Sequence, residues 1–414
     1  MNFLWIIDFD YSTRAHHGGS VRYFNFAPEL LAQGHTVTFV VRFAEGEKEP
    51  SRAWFEAQKQ AGAFTDYAEV DWHIPRWRSQ LATAVVYPGL AASILRPVYR
   101  ETSARIQALL AKHKASVLVV SARRFFFMIG ERSHYSAPVL LDAGDSFALY
   151  HARQGRYFLR TRAWRGAWGT VRPIVEESLR ERYYGRRSSL NLVVSPVDKL
   201  AFDRITGRPD KNAVILNGVR LPHRPETVQK VPNRLIFSGN MNFAPNYEAA
   251  LWFLTRVFPL VRKQVPEAHI VIVGPNPVPE LLAHANDQVE ITGFAPDLNW
   301  EIARSALYIA PLITGSGFKN KIAEALANGT YVIGTSTAAE FLEPAIRDLL
   351  TIVDEPDQMA DAIVRFLRDP AQYQERTELL EAAVREGFTW GRRAAELADL
   401  AASLAREPNV GRPI

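Results

Sequence analysis

The residues best equipped for chemistry lie in one glycine-rich run, Ala310-Pro-Leu-Ile-Thr-Gly-Ser-Gly-Phe-Lys-Asn-Lys-Ile-Ala-Glu-Ala-Leu-Ala-Asn-Gly329. Gly315 and Gly317 let a backbone approach a ligand closely. A helix expected to start near Gly317 would aim unpaired N–H groups and the positive end of its dipole at that ligand. A diphosphate would suit such a site. Lys319 and Lys321 add positive charge. Glu324, about one helical turn beyond Lys321, offers a carboxylate to ribose hydroxyls. Glycine turns before helices are also common as plain structure, so spacing alone leaves an ordinary turn as the alternative.

Other candidates are weaker. Asp8 and Asp10 form an Asp-x-Asp at a strand end, a pattern that can hold a divalent metal, but it comes very early in the chain and no metal is expected. Gly18-Gly19-Ser20 follows His16-His17 after the first strand, and adjacent histidines point in different directions, which disfavours a metal pair. The third glycine of a dinucleotide fingerprint is absent. Asp142, Asp145 and Ser146 follow a strand, where either ligand contact or helix capping would account for them. Glu176, Glu177 and Arg180 read as helix-surface pairs.

These residues need elements to hold them, and two segments read alike. In the first, a strand Phe3–Ile7 leads through Gly18-Gly19-Ser20 to an apolar-periodic helix from about Val21 to Gln33, then to a strand Thr36–Val41. In the second, a strand Leu235–Phe237 ends in Ser238-Gly239, Pro245 opens a helix, and His269–Val273 re-enters the sheet. Further short apolar runs at Val117–Val120, Val139–Leu141, Leu192–Val194, Val289–Ile291, Leu307–Ile309, Tyr331–Ile333 and Leu350–Val353 read as buried parallel strands. The reading is two Rossmann-like α/β domains, with ligands at the carboxyl ends of the strands and a cleft between the two rims. The expected boundaries are 1–216, a polar linker at 217–232, 233–387, a crossover helix at 388–405 and a frayed tail at 406–414.

Composition bounds the rest. The 414 residues are 47% hydrophobic and 22% charged, and 23 Phe, 14 Tyr and 9 Trp exclude intrinsic disorder. There is no cysteine, which removes disulfides, thiolate metal sites and cysteine nucleophiles and fits a cytoplasmic setting. The N-terminus lacks a signal-peptide pattern, and no window reaches the roughly 20 apolar residues of a membrane span. The net charge is +5, and ten Arg against three Glu fall between Arg153 and Arg187, interleaved with Tyr157, Phe158, Trp164, Trp168, Tyr183 and Tyr184. That stretch suits anionic lipid headgroups or a phosphate backbone, or it is a solvated helical face. No nucleic-acid recognition motif accompanies it.

Pro311-Leu312, Gly317, Asn320-Lys321, Glu324-Ala325, Ala327, Gly329 and Val332 together resemble the donor-site motif of family 4 retaining glycosyltransferases. The bacterial sugar transferases of exopolysaccharide synthesis are the branch most similar. Phe237–Asn246 with Trp252-Phe253, Asn217-Gly218-Val219, Thr292-Gly293-Phe294 with Asp297, Val194-Ser195 with Asp198, and Phe388-Thr-Trp390 match in the same order. The resemblance implies the GT-B fold, an acceptor on the N-terminal half, a nucleotide diphosphate sugar (UDP or GDP) on the C-terminal half, and a terminal helix that crosses back to the first domain. It implies that Glu324 holds the ribose and Lys321 faces the diphosphate. Gly239, Asn240, Gly315, Ser316, Gly317, Phe318 and Asn320 would line the donor. Gly18, Gly19, Ser20, His17, Asp142 and Asp145 would lie on the acceptor side. The expected partners are the nucleotide sugar, a glycan or lipid-linked acceptor, and an anionic inner-membrane surface met peripherally through Arg153–Arg187.

Two departures stand out. Many family members carry a second Glu eight positions before Glu324, where this chain has Ser316. The basic residue often found after the second domain's first strand is also missing from Ser238–Phe243, and Lys319 is the available substitute. The alternatives are a noncatalytic GT-B-like scaffold, a nucleotide-sugar epimerase, or an inverting transferase, which would need a general base.

Overall fold

Short, mostly apolar strands, most of them followed by a helix that carries the chain back to start the next strand in the same direction, assemble into two parallel sheets. The structure is a computed structural model and describes residues 1–11, 18–71, 76–123, 126, 129, 135–221 and 228–406. It divides into two units, Met1–Gly218 with the C-terminal segment from Trp390, and Val219–Thr389.

In the first unit, β1 (Asn2–Ile6), β2 (Thr36–Val41), β3 (Asp66–Glu69), β4 (Val117–Val120), β5 (Val139–Gly144), β6 (Leu190–Val193) and β7 (Asn212–Val214) lie in the order β3-β2-β1-β4-β5-β6-β7. In the second, β8 (Val231–Ser238), β9 (His269–Val273), β10 (Val289–Gly293), β11 (Ser305–Ala310), β12 (Val332–Gly334) and β13 (Thr351–Ile352) lie in the order β10-β9-β8-β11-β12-β13. Every pairing is parallel, which requires a crossover between strands and buries both sheet faces. Each order reverses direction at its first strand, so each sheet has a switch point, β1 against β4 and β8 against β11.

The sequence reading missed β3 and β7, both edge strands. β3 reads Asp-Tyr-Ala-Glu and carries no apolar run, because an edge strand is covered on fewer sides. β8 begins at Val231, inside the stretch expected to be linker. The helix expected from Val21 begins at Gly18, so Gly18 and Gly19 form its first turn rather than a loop.

The terminal helix Trp390–Arg406 belongs to the first unit. Its Trp390, Ala394, Leu397, Ala398 and Ala401 follow helical spacing and join the core of β1, β2 and the helix Gly18–Ala32. The Trp390 ring packs edge-on against Phe26 at 5.2 Å between centroids. Gly218 leaves room for it, since a Cβ there would fall 2.6 Å from the indole.

Candidate functional site

The switch point of the second sheet is where the sequence candidates gather. β8 ends at Ser238, and Gly239 leaves it at φ +152°. β9 ends beside it at Gly274, with φ +153°. A Cβ on Gly274 would lie 1.7 Å from the Gly239 carbonyl oxygen, and a Cβ on Gly239 would lie 2.6 Å from Lys321 Nζ and 2.7 Å from Asn246 Nδ2. Only glycine at both positions lets the two strand ends and these two side chains converge. Asn240 is exposed, and its carbonyl accepts from Asn246 Nδ2 at 2.9 Å, which ties the turn to the helix Ala244–Trp252.

The run after β11 supplies the facing wall. Gly315 and Gly317 adopt φ +103° and +78°, which a helix cannot accommodate, so the helix starts at Asn320 instead of near Gly317. Gly315 rests on Pro245, and Thr314 Oγ1 donates to Glu248 Oε2 at 3.1 Å. Lys319 is buried and donates to the carbonyls of Ser316 (2.6 Å) and Gly317 (3.0 Å), with Glu340 at 3.7 Å. These contacts make Lys319 a brace for the glycine loop. Phe318 is buried against Phe341 and Phe388, so its ring anchors the loop within this unit. The Ser316 hydroxyl is buried with no hydrogen-bond partner among the described residues.

Charge at the site is poised. Lys321 Nζ donates to Asn246 Oδ1 at 2.5 Å and lies 4.8 Å from the Phe237 ring. Desolvation, with Lys319 repelling and Glu324 partly compensating, brings its ammonium down to about 7. Glu324 is pushed up by burial and drawn back by Lys321, and among the described residues its carboxylate accepts no hydrogen bond. The hydroxyl of Tyr308, bonded to Ser238, is raised by burial and by Glu324. Burial also raises Glu248. Sequence reasoning missed Glu248, because a lone Glu in a helix carries no signal until the tertiary structure covers it.

The first-unit candidates divide. Asp142 is buried, accepting from Arg22 Nε at 2.9 Å and from Ser121 Oγ at 2.8 Å. Arg22 also donates to the Ile215 carbonyl and Asn217 Oδ1, so this pair links four segments of the domain. Ser20 is fully buried, and Ser146 caps the helix Phe147–Arg160 by accepting from Leu149 N. Asp145 lines a small recess with Arg123, Phe147 and Glu181. His16 and His17 lie outside the described residues. A cavity of about 840 Å³ opens between Asp8, Leu95, Tyr99, Arg123, Glu177 and Arg180. Glu177 and Arg180, expected to pair on the helix surface, do pair at 3.2 Å, and Arg123 joins them at 2.5 Å. Among the described residues no group of three or more His, Asp or Glu could hold a metal.

Comparison with known proteins adds to this geometry. Residues 232–369, which contain the whole site, match the family described as Glycosyl transferases group 1. Over nearly its full length the chain is similar to HepE of Anabaena in complex with UDP and glucose, at 13% identity, 98% of this chain, 100% of that chain and a TM-score of 0.64. It is similarly close to a mutant of S. aureus TarM in complex with Fondaparinux, alpha-GlcNAc-glycerol and UDP, at 11% identity, 97% and 99% coverage and a TM-score of 0.65. The fold is GT-B. A 44.6 kDa uncharacterized protein in the cps region of Klebsiella pneumoniae is 24% identical over 144 residues, and the match spans 33% of this chain and 37% of that protein. The stretch of the chain that matches the group 1 glycosyltransferase model is thus the one that surrounds the second switch point.

Proposed function

We propose that this protein is a glycosyltransferase that moves a sugar from a nucleotide diphosphate sugar, with retention, to a glycan or lipid-linked acceptor in cell-surface polysaccharide synthesis. The supporting observation is the convergence of Lys321, Glu324 and the glycine loop at the carboxyl ends of β8 and β11. A diphosphate would supply the counter-charge that the Lys321 ammonium lacks when its own carboxylate neighbour only partly compensates it, and the Glu324 carboxylate, with no hydrogen bond among the described residues, suits ribose hydroxyls. HepE was captured with UDP and glucose, which favours a UDP sugar as donor.

In the transfer, the bond from the sugar's anomeric carbon to the diphosphate oxygen breaks, and a bond to the acceptor oxygen forms on the same face. The acceptor's hydroxyl proton passes to the departing diphosphate, so no protein base is required. The protein stabilises the charge that develops on the leaving group, a contribution of several kcal/mol for preorganised donors. Protonated Lys321 and the loop N–H groups take that role, while Lys319 holds the loop in place. Glu248, bonded to Thr314 two residues from Ser316, supplies the carboxyl that the family usually draws from the position of Ser316.

A thermal-shift screen of UDP, GDP, ADP and their sugars tests the reading. A ligand at 100 times its dissociation constant stabilises the fold by about 2.7 kcal/mol. One nucleotide class should stabilise the native protein, and Lys321→Ala and Glu324→Ala should lose most of that response. No response to any nucleotide refutes the donor site. Binding without donor hydrolysis or transfer to any glycan or lipid-linked acceptor would favour a noncatalytic scaffold, and the anomer of the product separates retention from inversion.

A further inference from the structure

Residues 147–175 contain six Arg (153, 156, 160, 162, 165 and 172) and neither Asp nor Glu. They fold as a helical hairpin, Phe147–Arg160 against the first half of Trp164–Arg187, with Arg162 turning the corner at φ +56°. Two glycines let the arms close on each other. A Cβ on Gly155 would fall 2.6 Å from Thr170 Oγ1, and one on Gly166 would fall 2.9 Å from the Phe158 ring.

Trp164, Trp168, Val171 and Val175 follow one helical face at spacings of four, three and four. Such a stripe ordinarily points into a core. Here every member is exposed, Trp164 to 60% and Trp168 to 77%, with Leu159 exposed beside them at the tip. Arg156, Arg160, Arg162 and Arg165 are exposed around the same tip and have no carboxylate partner among the described residues, while Arg172 pairs with Glu176.

A solvated face would explain the arginines and leave two indoles in water. A neutral protein partner would cover the indoles and leave the cations uncompensated. An anionic bilayer surface accommodates both, because indoles seat at the headgroup level and arginine stems lie along the apolar boundary with their guanidinium groups on lipid phosphates. We propose that this hairpin tip docks the protein on an anionic lipid membrane. Among the described residues no helix is long and apolar enough to cross a membrane, and the proposed contact is one that lies in the interface. Docking there would bring the enzyme to lipid-linked acceptors, which rests on the function proposed above. The docking surface itself does not depend on it.

Co-sedimentation with vesicles of phosphatidylcholine alone, and of phosphatidylcholine mixed with phosphatidylglycerol, tests the proposal on the full chain. Binding should require phosphatidylglycerol and weaken with salt. Each arginine near an anionic surface contributes about 1 kcal/mol, close to fivefold, so Arg160→Ala, Arg162→Ala and Arg165→Ala combined should lower partitioning about a hundredfold. Trp168→Ala should weaken it without changing the melting temperature or the thermal response to nucleotide, since its ring touches solvent. The proposal is overturned by absence of vesicle binding, by equal binding to neutral vesicles, or by variants that bind unchanged. A dimer that dissociates on Trp168→Ala, or tighter binding to a DNA oligonucleotide than to the vesicles, would assign the tip to a different partner and overturn it as well. Loss of nucleotide response with vesicle binding intact would instead refute the donor site alone.

Discussion

Raising the pH above neutrality should weaken nucleotide-sugar binding through Lys321. Its ammonium titrates at about 7 in the free protein, because burial and Lys319 outweigh Glu324. A phosphate charge about 4 Å away contributes about 4 kcal/mol at an effective dielectric near 20. One pK unit corresponds to about 1.4 kcal/mol, so that attraction moves the lysine up by roughly three units and keeps it protonated when donor is bound. Above pH 7 the free lysine has lost its proton, and binding must take one up. The dissociation constant should therefore rise about tenfold per pH unit from about 7 to 9. Stability without ligand should move the opposite way over that window, because the unfolded lysine, near 10.5, holds a proton the folded one has released. The assay is isothermal titration of a nucleotide diphosphate sugar, which has no terminal phosphate to titrate, in buffers of differing ionisation enthalpy. Proton uptake should be near zero at about pH 6 and near one at about pH 8.5, and Lys321→Arg should abolish the dependence because guanidinium stays charged. PH-independent affinity with no proton uptake, or full affinity in Lys321→Met, would refute the reasoning.

Three further outcomes follow from the packing. Gly274→Ala should destabilise the second unit by several kcal/mol in chemical denaturation, since its Cβ would overlap the Gly239 carbonyl at 1.7 Å and the backbone sits at φ +153°; a native-like midpoint would show that the strand ends are not tightly apposed. Glu181 is pushed up to about 7 by burial, partly offset by hydrogen bonds from Ala148 N and Ser146 Oγ. Its stabilising contribution is full below about pH 4.5 and is lost as pH rises through 7, a change of about 3 kcal/mol. Glu181→Gln should accordingly be more stable than the native protein at about pH 8 and flatten the profile between pH 4.5 and 7. Trp390→Ala should cost about 3–5 kcal/mol of first-unit stability, because it empties the contact with Phe26 and Gly218; a cost below about 1 kcal/mol would mean that the terminal helix contributes little to that core.

Apolar runs such as Phe3–Ile7 and His269–Val273 announce buried strands in sequence because burial on both faces of a parallel sheet demands continuous hydrophobicity. The bend after β11 is legible in part, since Gly315 and Gly317 take the positive φ that glycine accepts most readily, while the spacing alone does not separate a ligand loop from an ordinary turn. The edge strand β3 carries no such pattern, as partial exposure removes the pressure for it, whereas β7 opens a short apolar run, Ala213-Val214-Ile215-Leu216, that sequence reasoning missed. Gly18 and Gly19 read as a loop because glycine disfavours helix, yet the helix extends through them to its first turn.

The local chemistry, then, was a property of the sequence: which residues are cationic, which glycines tolerate positive φ, and which stretches are too apolar to remain in water. Tertiary structure decided what each charge does. Lys319 and Lys321 are two residues apart and look interchangeable in sequence, but one is folded back onto loop carbonyls and Glu340 while the other meets Asn246 beside the end of β8. Glu248 has no distinguishing neighbours in sequence and becomes a site residue only when the loop after β11 folds onto its helix. The reason is that desolvation and hydrogen bonding depend on atoms brought close from separate parts of the chain, and for these residues those distances exist only once the second sheet has formed.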